Sequence, residues 1–205
     1  MHMLIRISDG IDQLLARIAK IAAWAGVILI GTTIFDVITR RFLVLGSTKL
    51  QEFEWHMHVV LFGLLIGYTY LKDAHVRIDL VRERFGERTQ WWIELLGCLL
   101  FLLPYCALVI YFSVDYTHRS FIENEISGSA TGLTHRWIIK SIIPIGFSLL
   151  GLAGIAVVFR KLVELFGPPE LRRRVYETED AEAVPVIDTD IPVIDTDIVM
   201  REEGK

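Results

Sequence analysis

Two acids and two histidines fall within eight residues at Gln51-Glu52-Phe53-Glu54-Trp55-His56-Met57-His58, side chains of the kind that hold metal ions or haem. Spacing argues against both ligands. His56 and His58 stand two apart, about 200° around a helix, so they cannot grip one ion from the same helix. The Glu-x-x-His pattern of di-iron bundles is missing. Glu52 with His56 and Glu54 with His58 are each four apart, and we expect two hydrogen-bonding pairs on opposite helix faces.

Asp36 sits near the end of an apolar stretch, where an acid at mid-membrane depth costs about 2.5 to 3.5 kcal/mol and often has a function. Arg40 follows four residues on, so the two meet on one helix face and can neutralise each other. A structural pair or a subunit contact is the expectation, not an ion-coupling site. Gly63 and Gly67 form a Gly-x-x-x-Gly that lets another helix approach closely, in this chain or in a partner. Pro104 and Pro144 each interrupt an apolar stretch and are expected to kink it. The chain contains no phosphate-binding loop, nucleophile elbow, zinc spacing or dinucleotide fingerprint. No enzyme activity, catalytic residue, cofactor, metal or nucleic-acid partner is therefore expected.

The elements that carry these residues are set by hydrophobicity. Of 205 residues, 53% are apolar, and the mean hydropathy is +0.46. A bilayer core of roughly 30 Å takes about 20 mostly apolar residues as a helix. Four stretches come close, giving spans at about 18–39, 55–71, 95–114 and 139–159. Trp24, Trp55, Trp91, Trp92 and Trp137 lie near their ends, as an interfacial aromatic belt would. The fold class expected is an all-α membrane protein of four transmembrane helices with interfacial helical segments.

Basic residues set the orientation. The N-terminal segment, the 72–88 loop and residues 160–174 after the fourth span hold thirteen Lys and Arg, and the other two loops hold five. Both termini are expected to be cytoplasmic. The first apolar segment is long and lacks a small-x-small cleavage site, so it should remain as an anchor. Cys98 and Cys106, about 12 Å apart on one helix, are beyond disulfide reach and read as small buried residues. Residues 1–167 form the expected transmembrane domain. Residues 168–205 read as an acidic cytoplasmic tail without fixed structure, carrying PVIDTDI twice in tandem at 185–191 and 192–198. Asp79 could cap a surface helix over 80–92. The polar loop 115–136 is long for a plain connection and suits an outer contact surface, or equally a short interfacial helix plus a turn.

Several pieces, in this order along the chain, resemble the small membrane subunit of tripartite ATP-independent periplasmic (TRAP) transporters. They are Asp36-Val-x-x-Arg40-Arg41-Phe42, then Gln51-Glu52-Phe-Glu54-Trp55-His56, then His75-Val-Arg77-Ile-Asp79. Glu125-x-Ser127, Gly132-Leu133 and Arg136-Trp137-Ile-Ile-Lys140-Ser141 complete the set. Relatives often have a proline-rich turn before the Gly-Leu and a Pro after it, and this chain does not. The resemblance implies a scaffold subunit in the bacterial inner membrane, beside a large permease subunit and a periplasmic substrate-binding protein. The assembly it implies imports organic acids on a sodium gradient. Asp36, Arg40, Glu52, Glu54, His56, His58, Gly63, Gly67, Arg77, Asp79, Glu125, Arg136 and Lys140 are the candidates for subunit contacts or structural polar links, with membrane lipid around them. The alternative is a cytochrome b-type four-helix electron carrier holding haem between histidines, for which a Soret band would be the test.

Overall fold

A computed structural model describes residues 1–43, 46–72, 85–173 and 175. Arg77, Asp79, most of the 73–86 loop and the PVIDTDI repeats lie outside the described residues. The described chain is helical: α1 (His2–Phe42), α2 (Thr48–Leu71), α3 (Glu87–Gly97), a π turn (Cys98–Leu102), α4 (Leu103–Ile122), α5 (Trp137–Lys140) and α6 (Ile142–Phe166).

At 41 residues α1 runs about 60 Å, twice a bilayer core, and it begins well before the span expected at 18–39. Its buried positions Ile5, Ser8, Asp12, Leu15, Ala19, Ala22, Ala25 and Leu29 recur at three and four residues, the seam of a helix packed along its length. Small side chains at Ala19, Ala22 and Ala25 keep that seam narrow. The Ser47 hydroxyl caps α2 by accepting from the Leu50 amide at 3.4 Å.

Between α3 and α4 the chain widens into the π turn, where the Leu103 amide bonds back to the Cys98 carbonyl. Pro104 follows at once and has no N–H to give, so the widened turn absorbs the disruption that the proline predicts. Pro144 behaves differently. The helix breaks at Ser141, between α5 and α6, and Pro144 falls in the first turn of α6, where amides lack intrahelical acceptors anyway.

α6 is the centre of the bundle, with α1, α2 and the α3–α4 stretch all packed on it. Each of the three buried apolar clusters includes α6 residues: Val163 with Ile5, Leu171 and Val175; Val158 and Leu165 with Leu95 and Cys98; Leu149 and Ala153 with Leu15. Packing thus continues past the boundary expected at 167, through Leu171 and Val175 onto α1. Cys98 and Cys106 are buried thiols, and the Cys98 sulfur lies 2.9 Å from the Tyr70 hydroxyl.

Among the described residues, three stretches are long and apolar enough to cross a membrane: His2–Phe42, Arg88–Ile122 and Trp137–Phe166. α2 is not among them, because Trp55, His56, His58 and two tyrosines dilute its apolar run. The four long helical stretches nevertheless run along one bundle. Ile5 meets Leu171 and Val175 at one end, and the first part of α2 meets the 123–136 loop at the other.

Candidate functional site

The polar candidates gather at that second end, where three helices and a loop meet. Asp36 and Arg40 form the ion pair their spacing predicts, with Asp36 almost fully buried. With its amide oxygen turned to Arg40, Gln51 accepts from the same guanidinium at 2.6 and 2.8 Å, tying α1 to α2.

Glu52 departs from the pairing expected of it. Its carboxylate accepts from the Leu133 amide at 2.6 Å and from the Ser127 hydroxyl, both across the loop. His56 and His58 do bond four residues back, but through Nδ1–H to the backbone carbonyls of Glu52 and Glu54, not to their carboxylates. For Glu52 the reason is competition. A loop amide and a hydroxyl converge on Glu52 and hold its charge better than one imidazole can.

The loop is shaped around that carboxylate. The Ser127 amide bonds the Leu133 carbonyl at 3.0 Å, and a Cβ on Gly132 would collide with the Ser127 side chain and lie 2.7 Å from Glu52 Oε1. Nearby, Glu125 is ion-paired with Lys140, whose ammonium sits 3.9 Å from the centre of the Tyr116 ring. The Arg136 amide bonds the Glu125 carbonyl at 3.2 Å. Glu52, Glu125, Arg136 and Lys140 are therefore joined in one clasp, and Asp36 and Arg40 form a second link beside it.

Gly63 and Gly67 face inward. A Cβ on Gly63 would lie 2.5 Å from Ile142 Cγ2, and one on Gly67 would lie 2.7 Å from the Leu149 carbonyl oxygen. Gly146 answers from α6, where a Cβ would lie 2.5 Å from the Gly63 carbonyl oxygen. The Gly-x-x-x-Gly face is thus filled by α6 and is not open to a partner.

At the opposite end lie two buried charge groups that sequence reasoning missed. Arg160 pairs with Asp12 and donates from Nε to the Ser8 hydroxyl at 3.1 Å. Lys161 bridges Glu94 at 3.3 Å and the fully buried Glu164 at 3.0 Å. Asp12 was findable, because it stands on the same three-four stripe as Ile5, Leu15 and Ala19.

The family model described as tripartite ATP-independent periplasmic transporters, DctQ component, matches residues 29–164. The chain belongs to this family. No curated protein matches it. DctQ proteins are small components of TRAP transporters and not enzymes, so this chain is a membrane protein of transport. The DctQ match gives the haem-carrier alternative no support. It takes in Asp36, the whole Glu52 clasp, Arg160 and Lys161, whereas Ser8 and Asp12 precede it.

The clasp should make this DctQ component acid-sensitive. The Leu133 amide and then the Ser127 hydroxyl hold Glu52 below its ordinary value of 4.5, and Lys140 does the same for Glu125. A carboxyl that binds its proton more weakly when folded stabilises the fold fully above its unfolded value. That contribution is lost as pH falls through the lower folded value, because unfolding then takes up a proton. The protection factor of the Leu133 amide in hydrogen exchange should hold from neutral pH down to about 4.5 and fall below it. Glu52→Gln should lower it severalfold already at neutral pH and flatten its pH dependence.

Proposed function

We propose that this DctQ component is the scaffold subunit of a sodium-coupled, binding-protein-dependent importer of organic acids, holding a large permease subunit that performs the transport. In this reading α2 crosses the bilayer with the other three passes, and both termini are cytoplasmic in a bacterial inner membrane. The clasped loop then faces the periplasm and the substrate-binding protein.

The observation that carries the reading is where charge lies relative to the apolar stretches. No Asp, Glu, Lys or Arg occurs within 21–35, 55–71, 95–114 or 141–159. The ion pairs Asp36–Arg40, Glu125–Lys140, Asp12–Arg160 and Lys161–Glu94 all lie at the ends. A sodium ion or a carboxylate crossing such a bundle would meet no charged side chain along these stretches to replace its water. The terminal ion pairs and the glycine-mediated contact of α2 with α6 instead suit a rigid body against which another subunit moves.

Reconstitution tests this. Liposomes with the large permease subunit, this chain and the binding protein should take up an organic acid under an inward sodium gradient, and liposomes with this chain alone should show none. Uptake by the chain alone would overturn the scaffold role. A reporter fused after Lys161 should read as cytoplasmic and one fused between Asn124 and Gly132 as periplasmic, which separates an error of topology from an error of function.

A further inference from the structure

Beside the Asp36–Arg40 link, a cleft of about 650 Å³ opens between α1 and α2, its wall including Asp36, Arg40, Arg41, Gln51, Glu54 and Trp55. It lies where the apolar stretches of both helices end, the depth at which lipid headgroups sit. Asp36 is only 4% exposed, and one of its carboxylate oxygens is buried without a hydrogen-bond partner. One Glu54 oxygen is in the same state. Buried carboxylate oxygens without donors are costly, and two on one cleft point to a donor that belongs there. Arg41, exposed on the cleft wall, pairs with no acid among the described residues.

We propose that this cleft binds the headgroup of a zwitterionic aminophospholipid, its ammonium donating to Glu54 and Asp36 and its phosphate accepting from Arg41 and Arg40. The charge balance selects this class. Two carboxylates and two guanidinium groups already sum to zero, so a ligand with both signs and no net charge fits without leaving an excess. A lone cation would satisfy the acids and leave Arg41 without an anion. A choline headgroup carries the charge but has no N–H to give the orphaned oxygens. A glycerol headgroup brings the phosphate without the cation. Both oxygens are covered in the unliganded cleft, so the half-exposed Arg40 side chain turns toward the phosphate as the ammonium enters. Trp55, two-thirds exposed on the cleft wall, gives the glycerol backbone an apolar and hydrogen-bonding surface.

The test is native mass spectrometry on the delipidated full chain in detergent, titrated separately with phosphatidylethanolamine, phosphatidylcholine and phosphatidylglycerol of the same acyl chains. One phosphatidylethanolamine should bind about tenfold more tightly than either of the others, the effect expected of hydrogen bonds to a charged group. Glu54→Gln should bring phosphatidylethanolamine down to the level of phosphatidylcholine. Arg41→Gln should weaken both. Neither change touches a packed apolar contact, and an unchanged helical circular dichroism spectrum verifies that each variant folds. Equal binding of the three lipids, or tightest binding of phosphatidylglycerol, would overturn the proposal. So would a photocrosslinker at Val37, in membranes holding the whole transporter, that labels a lysine-bearing peptide of another chain in place of lipid.

Discussion

Gly67→Leu should abolish the folded bundle. A Cβ at this position already falls 2.7 Å from the Leu149 carbonyl oxygen and 2.8 Å from its carbon. These are backbone atoms of the central helix, so no rotamer change can make room. α2 and α6 must separate, and with them goes the contact of Gly63 with Ile142 and Gly146. Overpacking of a core costs typically 1 to 3 kcal/mol when side chains can give way. Here they cannot, and Gly67→Ala alone should reach the top of that range. The leucine variant should exceed it and approach the whole stability of a typical domain, about 5 to 15 kcal/mol. Gly31→Leu is the control, because nothing lies within 4 Å of a Cβ there. Thermal unfolding in mild detergent should show a cooperative transition for the parent and Gly31→Leu and none for Gly67→Leu. A normal transition in Gly67→Leu would mean that α2 and α6 do not pack as described.

Arg160→Ala should be the most damaging change of a charged residue. It leaves the Asp12 carboxylate buried with its ion-pair partner gone and takes the Nε–H from the Ser8 hydroxyl. Stranding one member of a buried pair costs about 3 to 5 kcal/mol, a large part of what holds a fold together. Removing both charges should cost less than removing one. Asp12→Leu with Arg160→Met should therefore recover most of the loss, since a well-packed apolar pair often matches a buried ion pair. A double-mutant cycle in denaturant titration measures this directly. Additive losses would show that Asp12 and Arg160 act through separate partners. Because Asp12 lies on α1 and Arg160 on α6, the same variants test whether the first part of α1 is docked on the bundle.

What could be foreseen and what could not divides along distance in sequence. Asp36 and Arg40 were legible as a pair because helix geometry alone brings residues four apart to one face. The burial of Cys98 and Cys106 followed from their place in an uncharged apolar stretch. His56 and His58 bonded four residues back as the period demands, yet for His56 the choice of carbonyl over carboxylate depended on what else could reach Glu52. That competitor was the Leu133 amide, 81 residues away, and no local pattern announces such a meeting.

Periodicity and apolar length by themselves determined the helical class, because a backbone in lipid must satisfy its own hydrogen bonds. They also made Gly63 and Gly67 a face for close approach. Only the tertiary structure decided that α6 fills that face, that Glu52 clasps the loop, and that Arg160 closes on Asp12 across 148 residues. A helix period states which residues share a face. Which face meets which depends on how whole helices stack, and in lipid that is decided by packing and by a few buried hydrogen bonds rather than by hydrophobicity, which every face of such a helix shares.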